Sequence, residues 1–398
     1  MTPKKRLLFL ICALLDGGID TILVEYLRNI DLGKFDVTLA IGIKMDEFEV
    51  HLPKIPHGVR IEYLVDAPRL TRWRKAKLTR RLPAAIKLYD EIILNPLRKL
   101  TSSRRLQRLL ASHDAVIDFD ATFYTALRRC PVPVVGFYHF SIAENLARNR
   151  RHTMRQMHGM AHYTAIALIC DAMIDEGRRL FPELSHKFTR IYNGYNFDTL
   201  RRRAAAPLPA ALISPPQGYF LSVARLEESQ KDITTLLKAY ALMRSLSSAP
   251  HTLPNLWLLG TGRDRSRLET LADSLGITPY VTFLGFRPDA APYMSRSLAL
   301  VHSSKYEGFG LAIAEALILG LPIISSDCPT GPAEILGHGN AGILVPPGNV
   351  DAMAHAMLRI ATDPALRGSL SEATRSHCRI FDINTSISRL LTLLDQPR

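Results

Sequence analysis

The sequence predicts an α/β protein of two domains, each built on a parallel sheet with helices on both faces. Three observations lead there. Short, almost wholly apolar runs alternate with amphipathic stretches. The alternation breaks once, in the Ala- and Pro-rich stretch RRRAAAPLPAALISPPQG, and then restarts. The 398 residues are enough for two separate cores. Strands covered on both faces lose the in–out alternation and read as continuous apolar runs, as parallel sheets require.

In the first half, LLFLICALL, FDVTLAI, DAVIDFD, VPVVGFYH and TAIALIC are predicted strands. IDTILVEYLRNI has its apolar residues at helical spacing, with Asp20 and Thr21 at its start. In the second half YFLSVARL, LWLLG, YVTFLG, LALVHSS, LPIISSD and AGILVP are strands. The expected boundaries are a first domain over 1–200, a linker or hinge over 201–217 and a second domain over 218–375. A C-terminal helix over 376–398 is expected to pack back on the first domain.

Lys4, Lys5 and Arg6 ahead of LLFLICALL give the start of the chain the pattern of a signal peptide. The apolar run stops at Asp16 and no small-x-small cleavage site follows, so it reads as a buried first strand. No stretch reaches the ~20 apolar residues of a spanning helix. The five cysteines are odd in number and none stand in CxxC spacing. That points to a reducing compartment and away from a disulfide framework or a zinc site.

The net charge of +13 is concentrated. Residues 69–108 hold thirteen Lys or Arg against two acids, Asp90 and Glu91. The expected partner is an anionic membrane surface met by this one segment. If the segment is helical, Leu70, Trp73, Leu78 and Leu82 share an apolar face, and Pro83 and Pro96 divide it into two or three short helices. No nucleic-acid reader motif is present and aromatic residues are not interleaved with the cations, so no nucleic-acid partner is expected.

Ligands of open α/β sheets sit outside the carboxyl ends of the strands, and the informative motifs stand there. Gly17 and Gly18 follow the first strand, either as a tight turn or as a backbone that lets a phosphate approach. Arg225 and Lys231 follow the first strand of the second half in SVARLEESQKD. They suit a diphosphate, or a solvated loop balanced by Glu227 and Glu228. Gly262 lies in the glycine turn GTGR, which is neither a GxGxxG fingerprint nor a P-loop. Phe286 and Arg287 follow the glycine turn of FLGFR.

EGFGLAIAE is the most informative stretch. Gly308, Phe309, Gly310 and Leu311 open a helix whose start favours anions. Glu307 stands at its mouth as a hydroxyl acceptor. Glu315 lies in a helix that reads as buried core, where an acid is costly unless something pairs with it. A vicinal diol or a partner within the protein would each serve. His139, at the end of VPVVGFYH, is either structural or catalytic. His158 and His162 have metal-like spacing without the remaining ligands and read as a helix face. Asp118 and Asp120 end another strand, with a metal role open.

Together these stretches resemble the family-four retaining glycosyltransferases, with two facing Rossmann-like domains and a cleft between them (the GT-B architecture). SVARLEESQKD resembles the family's diphosphate segment, which implies that role for Arg225 and Lys231. FLGF resembles the segment before the base-binding loop, which brings in Phe286 and Arg287. EGFGLAIAE resembles the E-x7-E signature, with Glu307 on the donor sugar and Glu315 on the ribose. SDCPTGPAEIL resembles the segment closing the same site. DGGID resembles the glycine loop facing the donor phosphates, and His139 the acceptor-side histidine. The likeness is specific over roughly 218–348 and loose before that. Asp20 stands where the family often has Glu, and Asp232 where many members have Gly.

The resemblance implies metal-independent, retaining transfer from a nucleotide sugar by front-face attack, with no cofactor. A UDP-sugar is the expected donor. A lipid-linked or polysaccharide acceptor is the expected second substrate, with the enzyme cytoplasmic and peripheral on the inner face of the membrane of a bacterium. A sugar-nucleotide epimerase of the same architecture, or a basic membrane- or nucleic-acid-binding protein, is the alternative. An NAD enzyme is disfavoured by the missing GxGxxG.

Overall fold

The computed structural model describes residues 3–210, 212 and 215–396. The chain divides into two units. One holds the residues up to Tyr195 together with those from Ile383 onward, and the other runs Asn196–Asp382.

The first unit has seven strands: β1 (Lys5–Ile11), β2 (Phe35–Ile41), β3 (Arg60–Tyr63), β4 (Ala115–Asp118), β5 (Val134–Tyr138), β6 (Ala165–Leu168) and β7 (Phe188–Arg190). They form one parallel sheet in the order β3-β2-β1-β4-β5-β6-β7. Leu7, Leu8, Phe9 and Leu10 are all fully buried, so β1 is covered on both faces. The reading of LLFLICALL as a buried strand therefore holds. β3 and β7 were not expected from the sequence.

The helix Ile383–Leu394 completes this unit. Its buried Ile383, Ile387, Leu390 and Leu394 follow helical spacing along one face. Ser386 Oγ donates to Tyr192 O at 2.9 Å, and Ile383 N to Tyr195 O at 3.1 Å.

The second unit has six strands: β8 (Tyr219–Val223), β9 (Asn255–Leu259), β10 (Val281–Gly285), β11 (Ala299–His302), β12 (Ile323–Ser326) and β13 (Ile343–Val345). They too are parallel, in the order β10-β9-β8-β11-β12-β13. All six match the strands read from the sequence. The linker expected over 201–217 is helical at its start. Phe197–Ala204 is one helix of the second unit, tied down by Arg203, which holds Asp289 at 2.7 and 3.0 Å. Residues 211, 213 and 214 of that linker lie outside the described residues.

In both sheets the chain leaves the middle in opposite directions. β1 and β4 flank the reversal in the first unit, β8 and β11 in the second. The strands' carboxyl ends at such a reversal leave a crevice where ligands of open sheets bind.

The basic segment differs from its expectation in two ways. Pro83 separates the helices Pro68–Thr79 and Ala84–Tyr89, but Pro96 breaks nothing. It sits in the first turn of Asn95–Leu110, directly after a wide turn over Asp90–Leu94, where its missing N–H costs no bond. The apolar face is also elsewhere. Leu82 is buried and Leu70 and Trp73 are half-buried, while only Leu78 of that set is exposed. Leu88, Tyr89, Ile92, Ile93, Leu97 and Leu100 are instead between 46% and 59% exposed. Five of the cations face protein acids. Arg98, Lys77 and Arg74 gather around the buried Asp90, Lys75 pairs with Asp46, and Arg105 with Asp66. No helix among the described residues is long and apolar enough to cross a membrane.

Candidate active site

At the reversal of the second sheet, β8 runs into Ala224 and Arg225, and β11 ends on His302 and runs into Ser303 and Ser304. Glu307 lies between them and is 5% exposed. Its Oε1 accepts from Lys231 Nζ at 2.5 Å, Ser304 Oγ at 2.6 Å and His302 Nε2 at 2.8 Å. Its main chain is fixed as well, since Thr330 Oγ1 donates to Glu307 O. Burial alone would raise the pKa of this carboxyl. The hydrogen bond from His302 and the charge of Lys231 outweigh burial and hold it well below the usual carboxylate range. Glu307 is thus an ionised acid prepared by the protein.

The acid expected to be buried was Glu315. It lies eight residues on, in the helix Leu311–Ile318, and is half-buried among Ala314, Ala316 and Leu317, which are fully buried. The costly buried carboxylate is the one in the glycine turn.

Lys231 reaches Glu307 because Asp232 turns the chain. Lys231 closes the short helix Glu228–Lys231, and Asp232 is left-handed, with φ 46° and ψ 43°. Left-handed backbone is the natural place for Gly and is tolerated by Asp. This accounts physically for the glycine that many members of the resembling family carry there.

The two cations read from SVARLEESQKD are therefore unequal. The Lys231 side chain is 13% exposed and paired with Glu307. The Arg225 side chain is 67% exposed, with Glu227 at 3.5 Å and Gln230 at 3.3 Å as long contacts. Gly262 packs the GTGR turn against the strand-end loop, since a Cβ there would stand 2.3 Å from Leu226 O. Leu226 N donates to Thr261 O at 3.0 Å across the same junction. Phe286 is 55% exposed and Arg287 is exposed beside it. Phe309 is buried and meets Phe381 edge-on at 5.6 Å, so only its backbone belongs to the site. Gly308 and Gly310 flank it, and no side chain caps the helix that begins at Leu311. Its first amides can take an anion.

In the first unit, Gly17 is the N-cap of Gly18–Asn29, again without a side-chain cap. Asp20 in its first turn is buried and accepts from Leu15 N at 3.0 Å, and burial pushes its pKa up to about 6. His139 follows β5, and its ring lies against Phe119 and Phe137. Its Nε2 is 2.7 Å from Phe119 O, which fixes the Nε2–H tautomer. Burial pushes its pKa down to about 4, so the imidazole is neutral at pH 7. Asp118 is fully buried and accepts from Tyr163 Oη at 2.6 Å, and burial with the nearby Asp120 pushes its pKa up to about 8. A neutral, enclosed acid is a poor metal ligand. His158 pairs with Glu183 at 3.3 Å on a helix face, as its spacing suggested.

Sequence reasoning passed over His302 and Ser304. The signal was available: a histidine at the very end of an apolar strand, two residues before a serine and five before the glutamate.

Two parallel-sheet units of this kind place the chain in the GT-B fold class. Residues 209–377 match the family model described as glycosyl transferases group 1. The resemblance read from the sequence holds over those residues. An exopolysaccharide phosphotransferase of Streptomyces coelicolor is 39% identical over 151 residues, 36% of this chain and 16% of that one. O-antigen chain mannosyltransferase B of Escherichia coli is 26% identical over 354 residues, 84% of this chain and 88% of that one. The crystal structure of Anabaena HepE in complex with UDP and glucose superposes with a TM-score of 0.73 at 17% identity, covering 98% of this chain and 99% of that one. The chain spans less than half the length of the first curated relatives it matches, 16% to 48% of each.

Proposed function

We propose that this protein is a retaining glycosyltransferase. It moves a sugar from a UDP-sugar to a lipid-linked or polysaccharide acceptor in bacterial envelope glycan synthesis. The observation that carries this is Glu307, held ionised by Lys231, His302 and Ser304 at the reversal of the second sheet, with the open Arg225 on the opposite strand end. Glu307 accepts a donor-sugar hydroxyl, and Glu315 takes the ribose diol. Phe286 and Arg287 face the base. Arg225, Lys231 and the uncapped amides at Leu311 receive the diphosphate and stabilise it as it leaves. Fixed cations thereby do the work of a metal. In the first unit, Gly17 and Gly18 serve the donor phosphates and the neutral His139 serves the acceptor. The names of the polysaccharide and O-antigen relatives support the substrate class. A thermal-shift screen of nucleotides tests the reading. UDP at a hundredfold its Kd is expected to stabilise by about 2.7 kcal/mol, and the same shift with NAD but none with UDP would refute it.

We further propose that the protein is peripheral on the inner face of the cytoplasmic membrane. The face that touches the anionic bilayer is the one the structure exposes, Leu88, Tyr89, Ile92, Ile93, Leu97 and Leu100. Arg80, Arg81, Lys87 and Lys99 stand exposed along the same stretch. Apolar side chains rimmed by cations suit the headgroup boundary, and each cation adds about 1 kcal/mol at an anionic surface. The protein is expected to co-sediment with phosphatidylglycerol vesicles, to leave them as salt rises and to ignore phosphatidylcholine vesicles. Leu88→Ser with Ile92→Ser and Ile93→Ser is expected to abolish sedimentation while sparing UDP binding. Unchanged sedimentation of that variant would refute the assignment.

A further inference from the structure

We infer that His302 is a positioning residue, which holds the carboxylate of Glu307 in place when a diphosphate draws Lys231 away from it. The inference rests on the role proposed for Glu307 above and goes one residue deeper. His302 ends β11 and is 2% exposed. Its Nε2 lies 2.8 Å from Glu307 Oε1 and 3.1 Å from Ser304 Oγ. A carboxylate oxygen only accepts, so Nε2 donates a proton to this bond. Nδ1 is buried and has no hydrogen-bond partner among the described residues. A leucine at this place would carry no orphaned nitrogen. What the imidazole supplies is the bond to Glu307.

The three donors to Glu307 differ in stiffness. All converge on Oε1, and none reaches Oε2, which stays open for a sugar hydroxyl. Lys231 is a point charge on a four-carbon stem and can turn toward a phosphate. His302 has two torsions and is enclosed. Ser304 is anchored by its own backbone, since its N–H donates to Ser326 Oγ at 2.8 Å and its carbonyl accepts from the same hydroxyl at 2.9 Å. Once Lys231 is shared with the donor's diphosphate, His302 and Ser304 remain to aim Oε2. The expected loss on removing His302 therefore falls on the sugar and spares the nucleotide.

The test uses the full chain, a panel of UDP-hexoses with UDP release as readout, and calorimetric titration of UDP. His302→Leu is expected to slow UDP release about 10- to 100-fold through misplacement of the carboxylate. Its Kd for UDP is expected to stay within about threefold of wild type, as for loss of an interaction made only with the reacting sugar. His302→Gln, which keeps an N–H donor, is expected to recover part of the rate. Glu307→Gln combined with His302→Leu is expected to be no slower than Glu307→Gln alone, because both act through one carboxylate. A wild-type rate in His302→Leu, or a double variant whose loss is the product of the two single losses, overturns the role. So does a His302→Leu protein that loses UDP affinity and thermal stability together, which marks a purely structural histidine. If wild type itself neither binds UDP nor releases it from any hexose donor, the proposed function fails and this role falls with it.

Discussion

Glu307→Gln is expected to lower kcat/KM for the sugar donor by about a hundred- to a thousandfold, roughly 3–4 kcal/mol of transition-state stabilisation. The substitution keeps the shape and removes the charge. It also strands the Lys231 ammonium, whose side chain is 13% exposed. Breaking one partner of a buried pair costs about 3–5 kcal/mol of stability, so chemical denaturation should report a second, separate loss. Adding Lys231→Met is expected to restore most of the stability and none of the rate. The pH dependence has a definite sign. The folded-state pKa of Glu307 lies below its ordinary value of 4.5. Its contribution is therefore fully present above that ordinary value and is lost as pH falls through the depressed one. The stability gap between wild type and Glu307→Gln should be constant from neutral pH down to about 5, narrow progressively below that, and close fully only well below the usual carboxylate range. A gap that closes between pH 6 and 7 would show that the carboxylate is not held as described.

Arg225→Ala is expected to have the second largest effect on rate, about 2–4 kcal/mol of transition-state stabilisation, with a different signature. The side chain is exposed and its protein contacts are long. Unfolding free energy should therefore move by no more than about 0.5 kcal/mol. Arg225→Lys should not restore the rate, since Lys lacks the planar fork that meets two phosphate oxygens. Wild-type turnover in Arg225→Ala, or rescue by added Mg²⁺, would contradict a diphosphate held by fixed cations.

The fold was legible wherever burial is continuous. Four of the six strands of the second unit, β8, β9, β11 and β12, are buried almost throughout, while β10 and β13 at the ends of the sheet order are only part-buried; all six appear in the sequence as apolar runs. The two strands missed in the first unit lie at the ends of the sheet order. β3 is RIEY, alternately exposed and half-buried, and β7 has only three residues. Neither has enough apolar side chains to stand out from a loop. The sequence offered the residue types of the candidate site and not their pairings. Lys231 and Glu307 are 76 positions apart, and no local spacing reports that they meet. The apolar helix around Glu315 suggested a buried acid, but Glu315 is half-buried and Glu307 is the buried one, because a helix's composition does not say which side faces the sheet. The same gap explains the basic segment. Periodicity grouped Leu82 with Leu78, but Leu82 is buried and the exposed face lies further along, on Leu88, Ile92 and their neighbours.

Calorimetric titration of UDP into wild type and Glu315→Ala, with a chelator in the buffer, tests the central claim most directly. The second unit is expected to bind UDP without a divalent ion. Glu315→Ala should lose about tenfold or more in affinity, as removal of a carboxylate that accepts from a ribose diol costs roughly 1.5–3 kcal/mol. Glu307→Gln should bind free UDP nearly as wild type does. No UDP binding by wild type under these conditions, or equal affinity in wild type and Glu315→Ala, would contradict a nucleotide-sugar site at the reversal of the second sheet.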